Sequence, residues 1–342
     1  MLTAFCLLPS AASFLRLSLC LIQPEEPALV ERQLAVMGTV FEISVSAPDR
    51  ASALDASEAA VREIARVEDL LSTWKPGGPL DRLNHARPGR PVDLDPETAA
   101  LLAEVLAWSA RTQGAFDPTV LPLTCAWDLR GRGRVPGAAE LSRALEATGT
   151  GRFALESATG RATRLDPEAG IDEGAWGKGY ALDRAAAALR RAGVRGAVLD
   201  LGGQLYVLGP GPGGRGSSVA VADPRDRRRV AATLAVAETS VSTSGNSERG
   251  LTVGGRRISH LLDPCTGFPA PDFGSATVVS ASGLVADILS TAFFVLGPER
   301  GLALSETLRQ QGFANEVLFL VVEGERLHAV ASPGLEFHLK EG

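Results

Sequence analysis

The chain has 342 residues and a formal charge of −6, with 34 Lys and Arg against 40 Asp and Glu. That length suffices for one large domain or two ordinary ones. The basic residues form no stripe and aromatics make up only 5% of the chain, so the electrostatic footprint of a nucleic-acid binder is absent and no nucleic-acid partner is expected. The four cysteines, Cys6, Cys20, Cys125 and Cys265, have neither CxxC nor metal-ligand spacing, which argues against a disulfide scaffold or structural zinc.

The opening "MLTAFCLLPSAASFLRLSLCLIQPEEP" is apolar but short and interrupted by Pro. Residues 1–30 are read as either a signal or lipid-anchor segment or a disordered start, with residues 31–340 as the working domain. The corresponding location is the cell envelope, on the periplasmic side of the inner membrane, with the cytoplasm as the alternative. No other segment reaches the roughly 18 apolar residues of a spanning helix.

In "TVFEISVSA" Phe41, Ile43 and Val45 alternate with polar positions, which predicts a half-buried strand. Ala60, Ile64, Val67 and Leu71 then share one face of a helix over 51–71. In the next helix Asp95 is the N-cap, Pro96 the first helical residue and Gly114 the stop. "GRGRVPGAAELSRALEATG" reads as a loop leading into a short helix. A helix from Tyr180 buries Leu182, Ala185, Ala186 and Leu189 and ends at Gly193. "RGAVLDLGGQLYVLG" gives two strands about a Gly-Gly turn, and "GPGPGGRG" a surface loop. Strands are expected at 217–222, 230–237, 275–280, 316–322 and 326–331, and a helix at 284–296. Strands in runs, only sometimes alternating with helices, predict an α+β fold of antiparallel-rich sheets flanked by helices, in a single large domain.

Four stretches carry chemistry. "DEGAWGKGYALD" fails as a Walker loop, because Asp172 replaces the first Gly and Gly179 the Ser or Thr after the Lys. Its glycines and the amides of the following helix start could still receive an anion beside Lys178; the plain alternative is a tight turn with Lys178 in solvent. In "LVADILSTAFFVLG" Asp287 and Thr291 are four apart on one side of a helix, flanked there by Ile288 and Phe294. A hard cation such as Mg²⁺ would offset the cost of desolvating them, unless Asp287 merely caps the helix and Thr291 bonds back to it. "STSGNSERGLTVGGRRISHLLDPCTGFPAP" gathers Arg249, His260, Asp263 and Thr266, with His260 either a site residue or a structural histidine. "GAFDPTVLPL" offers Asp117 as a ligand-facing acid or as an Asx turn.

In order along the chain, "MGTVFEI", "STWKPGGPLDRLN", "GAFDPTVLPL", "DEGAWGKGYALD", "LDLGGQLYVLG", "STSGNSERG", "ISHLLDPCTGFP" and "ADILSTAFFVLG" resemble the stations of the FAD:protein FMN transferase (ApbE-type flavin transferase) family over about residues 34–300. The resemblance implies a Mg²⁺-dependent enzyme that takes FAD as substrate, moves FMN to a Thr or Ser hydroxyl of an acceptor protein, such as a redox-complex subunit, and releases AMP. It implies that Asp287, Thr291 and the Gly177 carbonyl hold Mg²⁺, that Lys178 and the backbone of 177–179 face the pyrophosphate, and that His260 takes the hydroxyl proton or positions the phosphate. Met37, Trp74, Ala115, Phe116, Asp117 and Glu173 would line the flavin and nucleotide pocket, with Lys178 and His260. The chain departs from the family pattern at Gly177, where Ala is usual, at Glu173 and Trp176, which replace apolar residues, and at Ser247, which replaces an aromatic one. An FAD pyrophosphatase and a flavin-binding protein without turnover are the alternative functions.

Overall fold

The computed structural model describes residues 27–340 apart from 74, 157–158, 213–215, 247–250 and 254–255. In chain order the elements are β1 (Ala28–Val36), β2 (Thr39–Ala47), α1 (Arg50–Leu71), α2 (Pro79–His85), β3 (Pro91–Asp93), α3 (Pro96–Arg111), α4 (Leu121–Ala126) and α5 (Ala138–Ala147). There follow β4 (Phe153–Glu156), β5 (Arg161–Arg164), α6 (Gly177–Arg191), β6 (Gly196–Leu201), β7 (Gln204–Leu208), β8 (Ser217–Asp223), β9 (Asp226–Val236) and β10 (Thr239–Gly245). The chain closes with β11 (Leu251–Val253), β12 (Arg256–Ile258), β13 (Gly274–Ser280), α7 (Gly283–Gln310), β14 (Glu316–Glu323), β15 (Arg326–Ala331) and β16 (Phe337–Leu339).

One eight-stranded sheet, in the order β1-β2-β6-β7-β10-β13-β14-β15, forms the centre, and all its ladders are antiparallel. The α+β expectation therefore stands. Phe41, Ile43 and Val45 of β2 face a large apolar core with Ile64 and Val67 of α1, Leu182 and Leu189 of α6, and Ile288, Leu289 and Phe293 of α7. Burying each such side chain is worth about 1.5–3 kcal/mol, enough to dock the three helices on one face of the sheet. On the other face Val207, Leu318 and Leu320 meet Val219, Val221 and Leu234 of the β16-β9-β8 sheet. The layers are thus helices, large sheet, small sheet. Among the described residues no helix is long and apolar enough to cross a membrane.

Capping follows the sequence. Asp95 accepts from Thr98 N at 3.0 Å, with Pro96 in the first turn of α3. Gly114 and Gly193 take left-handed φ of 80° and 77° just past α3 and α6. α6 starts at Gly177, three residues before the expected Tyr180, because the turn before it already makes helical bonds. α7 runs past the expected 296, but Gly297 with φ 76° and Pro298 break it there, so the predicted boundary is a kink rather than an end. No expectation covered α2, α4, β1, β3, β4, β5, β10, β11, β12 or β16. Residues 213–215 of the "GPGPGGRG" stretch, and Ser247 and Arg249, lie outside the described residues.

Candidate active site

A cavity of about 1040 Å³ opens beside the N-terminal ends of α6 and α7. Its wall comes from the β1–β2 turn, the end of α1, the loops on either side of α4, the Gly-Gly turn, the end of β10 and the 260–264 loop. Met37, Ala115, Phe116, Asp117, Glu173, Lys178, His260, Asp287 and Thr291 all line it, although they are spread over some 250 positions of the chain. Gly177 is not part of the lining and sits buried at the first position of α6. Trp74 lies outside the described residues.

The centre of the cavity wall is the crossing of α6 and α7. Asp287 is only 4% exposed; its Oδ2 accepts from Gly179 N at 3.0 Å, and its Oδ1 stands 3.5 Å from Lys178 Nζ. Thr291, one turn further on, has its Oγ1 3.5 Å from Ser244 Oγ of β10. Among the described residues neither plain alternative is seen for this pair. Ser282, not Asp287, accepts from Val285 N as the cap of α7, and Ser290, not Thr291, donates back to the Asp287 carbonyl at 3.0 Å. The carboxylate and hydroxyl are left on the cavity side.

The helix start of α6 is less of an anion cradle than its sequence suggests. Gly177 N donates to Glu173 O at 2.8 Å, Gly179 N to Asp287, and Tyr180 N to Trp176 O at 3.1 Å. Those amides are already spent. The turn is stiffened by Trp176, whose buried indole Nε1 donates to Asp172 O at 2.8 Å. Gly179 has a different reason to be glycine. A Cβ there would stand 2.1 Å from Gly283 O, so the two helix starts touch backbone to backbone.

In the turn before α6 Glu173 accepts from Thr73 Oγ1 at 2.6 Å, while Arg130 bonds Asp172 at 2.9 Å, Thr73 Oγ1 at 3.0 Å and approaches Glu173 at 3.7 Å. Burial, and then the neighbouring Asp172, push the Glu173 carboxyl above its ordinary value. Sequence reasoning does not find Arg130, since nothing in "WDLRGRGR" separates one Arg from the next. Asp117 accepts from Thr119 N at 2.8 Å, Thr119 Oγ1 at 2.6 Å and Ser109 Oγ at 3.1 Å, so it is an Asx turn that also lines the cavity. Met37 and Gly38 both have positive φ, 49° and 68°, as a two-residue hairpin turn of the primed type requires, and Met37 N donates to Glu68 Oε1 at 3.0 Å. His260 reaches the wall from a loop in which Leu261 N donates to Ser259 Oγ, and Cys265 N and Thr266 Oγ1 donate to Asp263.

Asp287 and Thr291 supply hard oxygen donors, the kind Mg²⁺ takes. Among the described residues no cluster of three or more His, Cys, Asp or Glu could hold a metal by itself, so a cation here would share its coordination with backbone, water or ligand oxygens. The wall carries four cationic side chains (Lys75, Arg130, Lys178, Arg227) against five acidic ones (Glu68, Asp117, Asp172, Glu173, Asp287). A diphosphate entering a space with no excess of positive charge needs a further cation. The donor set and the charge balance both fit the ion.

The family model described as the ApbE family matches residues 37–314. The FAD:protein FMN transferase of Klebsiella pneumoniae is 33% identical over 320 residues, covering 91% of this chain and 90% of the relative. That of Salmonella typhimurium is 30% identical over 334 residues and covers 94% of each. Among solved structures, the ApbE protein of Thermotoga maritima superposes with a TM-score of 0.79 at 28% identity, covering 92% of this chain and 97% of that one. The flavin transferase ApbE of Vibrio cholerae gives 0.79 at 27% identity, covering 90% and 98%.

Proposed function

The chain belongs to the ApbE family, and on that premise we propose that it is a flavin transferase that moves the FMN moiety of FAD, with Mg²⁺, to a Thr or Ser hydroxyl of an acceptor protein and releases AMP. The observation that carries this reading is the convergence of Lys178, Asp287 and Thr291 on one cavity whose volume, about 1040 Å³, lies at the upper end of ordinary small-molecule sites and suits a dinucleotide.

In this mechanism Met37, Ala115, Phe116, Asp117 and Glu173, with Trp74, hold the flavin and nucleotide. Asp287 and Thr291 would hold Mg²⁺, with the Gly177 carbonyl as the third ligand the family implies, and the ion would offset charge on the diphosphate. Lys178 adds a second positive charge at the diphosphate, where the leaving AMP gains electrons. The acceptor hydroxyl oxygen bonds to the phosphorus of the FMN half as the phosphorus–oxygen bond to AMP breaks. AMP departs with that electron pair, and His260 takes the hydroxyl proton. A redox-complex subunit is the proposed acceptor.

The test is direct. Protein, FAD, Mg²⁺ and an acceptor subunit should give an acceptor band that stays fluorescent after denaturation, and Asp287→Ala should abolish it. Free FMN and AMP with no labelled acceptor would select hydrolysis instead. FAD that stays bound and intact would mean no turnover.

A further inference from the structure

We propose that Asp183 is a positioning residue for the Asp287–Thr291 pair: it grips the first residues of α7 from α6 and so sets where that pair stands. The inference rests on the metal-binding reading above and adds a residue that touches neither FAD nor cation in that reading.

Asp183 lies one turn beyond Gly179 on α6. Its carboxylate accepts from three donors in succession at the start of α7: Ser282 Oγ at 2.8 Å, Gly283 N at 2.5 Å and Leu284 N at 3.0 Å. Free helix-start amides attract whatever anion is near, and here the anion belongs to the neighbouring helix. Gly283 is held on its other side as well, because its carbonyl accepts from Gln204 Nε2 of β7 at 2.9 Å. Gln204 is only 2% exposed and its Oε1 has no partner among the described residues, so the amide is kept in place at a cost for the bond its nitrogen makes.

Gly283 also abuts Gly179, with 2.4 Å between a Cβ on Gly283 and Gly179 O. Both its N–H and its C=O are therefore fixed within contact distance of α6, and Asp287 follows one turn later with Oδ2 on Gly179 N. With its first residue held by Asp183, by Gln204 and by the contact with Gly179, α7 is hindered from sliding along α6, and Asp183 is thereby one of the groups that place Asp287, whose Oδ1 stands 3.5 Å from Lys178 Nζ. Burial pushes the Asp183 carboxyl above its usual value, and the three donors from α7 oppose that rise.

The experiment uses the full chain with Mn²⁺ as the spin-active probe, its dissociation constant read by electron paramagnetic resonance in the presence of FAD, alongside transfer kinetics and melting temperature. Asp287→Ala is the control for the reading: if it binds Mn²⁺ as the wild type does, the metal assignment falls and this proposal with it. With that control lost as expected, Asp183→Asn should weaken Mn²⁺ by about tenfold or more and lower kcat, leaving the KM for FAD nearly unchanged. Ser282→Ala, which removes one of the three donors together with the cap of α7, should weaken Mn²⁺ by a few fold in the same direction. A folded Asp183→Asn with wild-type Mn²⁺ affinity would overturn the proposal, and so would a fall in melting temperature alone. Should Asp183→Asn fail to fold, unchanged Mn²⁺ affinity in Ser282→Ala would overturn it.

Discussion

Replacing Gly179 by Ala tests whether the α6–α7 crossing holds the site together. In an open helix this change would stabilise by about 1 kcal/mol, since Gly is the poorer helix former. Here the new methyl carbon would lie 2.1 Å from Gly283 O, 2.5 Å from Gly283 C and 2.9 Å from Asp287 Cβ. Two of these three are backbone atoms that no rotamer change can move. Restoring ordinary contact requires α7 to retreat by roughly 1 Å, and overpacking of that kind costs about 1–3 kcal/mol. The retreat also stretches the bond from Gly179 N to the Asp287 carboxylate, worth about 1.5–3 kcal/mol as a hydrogen bond to a charged group. The steric cost exceeds the helix-propensity gain, so the melting temperature should fall. A displacement of about 1 Å in a catalytic constellation can cost about 100-fold in rate. The assay is FMN transfer at saturating FAD over a Mg²⁺ titration, with differential scanning calorimetry on the same protein. A raised melting temperature with an unchanged rate would refute the reasoning, because it would mean the two helix starts have room to spare.

Lys178→Met should lower kcat by about 100-fold with a small change in melting temperature, measured by acceptor labelling under single-turnover conditions; an unaffected rate would remove Lys178 from the diphosphate. Asp117→Ala leaves Thr119 N, Thr119 Oγ1 and Ser109 Oγ without their acceptor and should cost about 1–3 kcal/mol in urea unfolding. Arg130→Gln removes the cation that opposes the rise of the Glu173 carboxyl, which burial and Asp172 already hold up. A carboxyl raised in the folded state opposes folding above its folded value and is relieved as pH falls through it. The melting-temperature deficit of Arg130→Gln should therefore be largest at neutral pH and shrink on acidification, and a deficit independent of pH would contradict the arrangement.

Periodicity makes the five longer helices (α1, α3, α5, α6 and α7) and the strands β2, β6–β9 and β13–β15 legible in the sequence, and with them the Asp287–Thr291 pair, because a four-residue spacing on a helix fixes a shared face without tertiary information. The Asp95 cap and the stops at Gly114 and Gly193 are legible for the same local reason. What the sequence conceals is carried by contacts between distant segments. Arg130 meets Asp172 across 42 positions, Asp183 meets Gly283 across 100 and Met37 N meets Glu68 across 31, and none leaves a local pattern. The Gly-Lys-Gly step misleads for a related reason. Glycine beside an anion site and glycine beneath a crossing helix look alike in one dimension, and only the position of Gly283 tells them apart.

The break at Gly297 and Pro298 divides α7 into two rods. The first, Gly283 to Leu296, carries the paired acid and alcohol and is fixed at its start, whereas the second lies against Phe319 through Gly301 and forms its own contacts. A hinge there means that drift in the residues of the distal rod is absorbed where backbone hydrogen bonding is already interrupted.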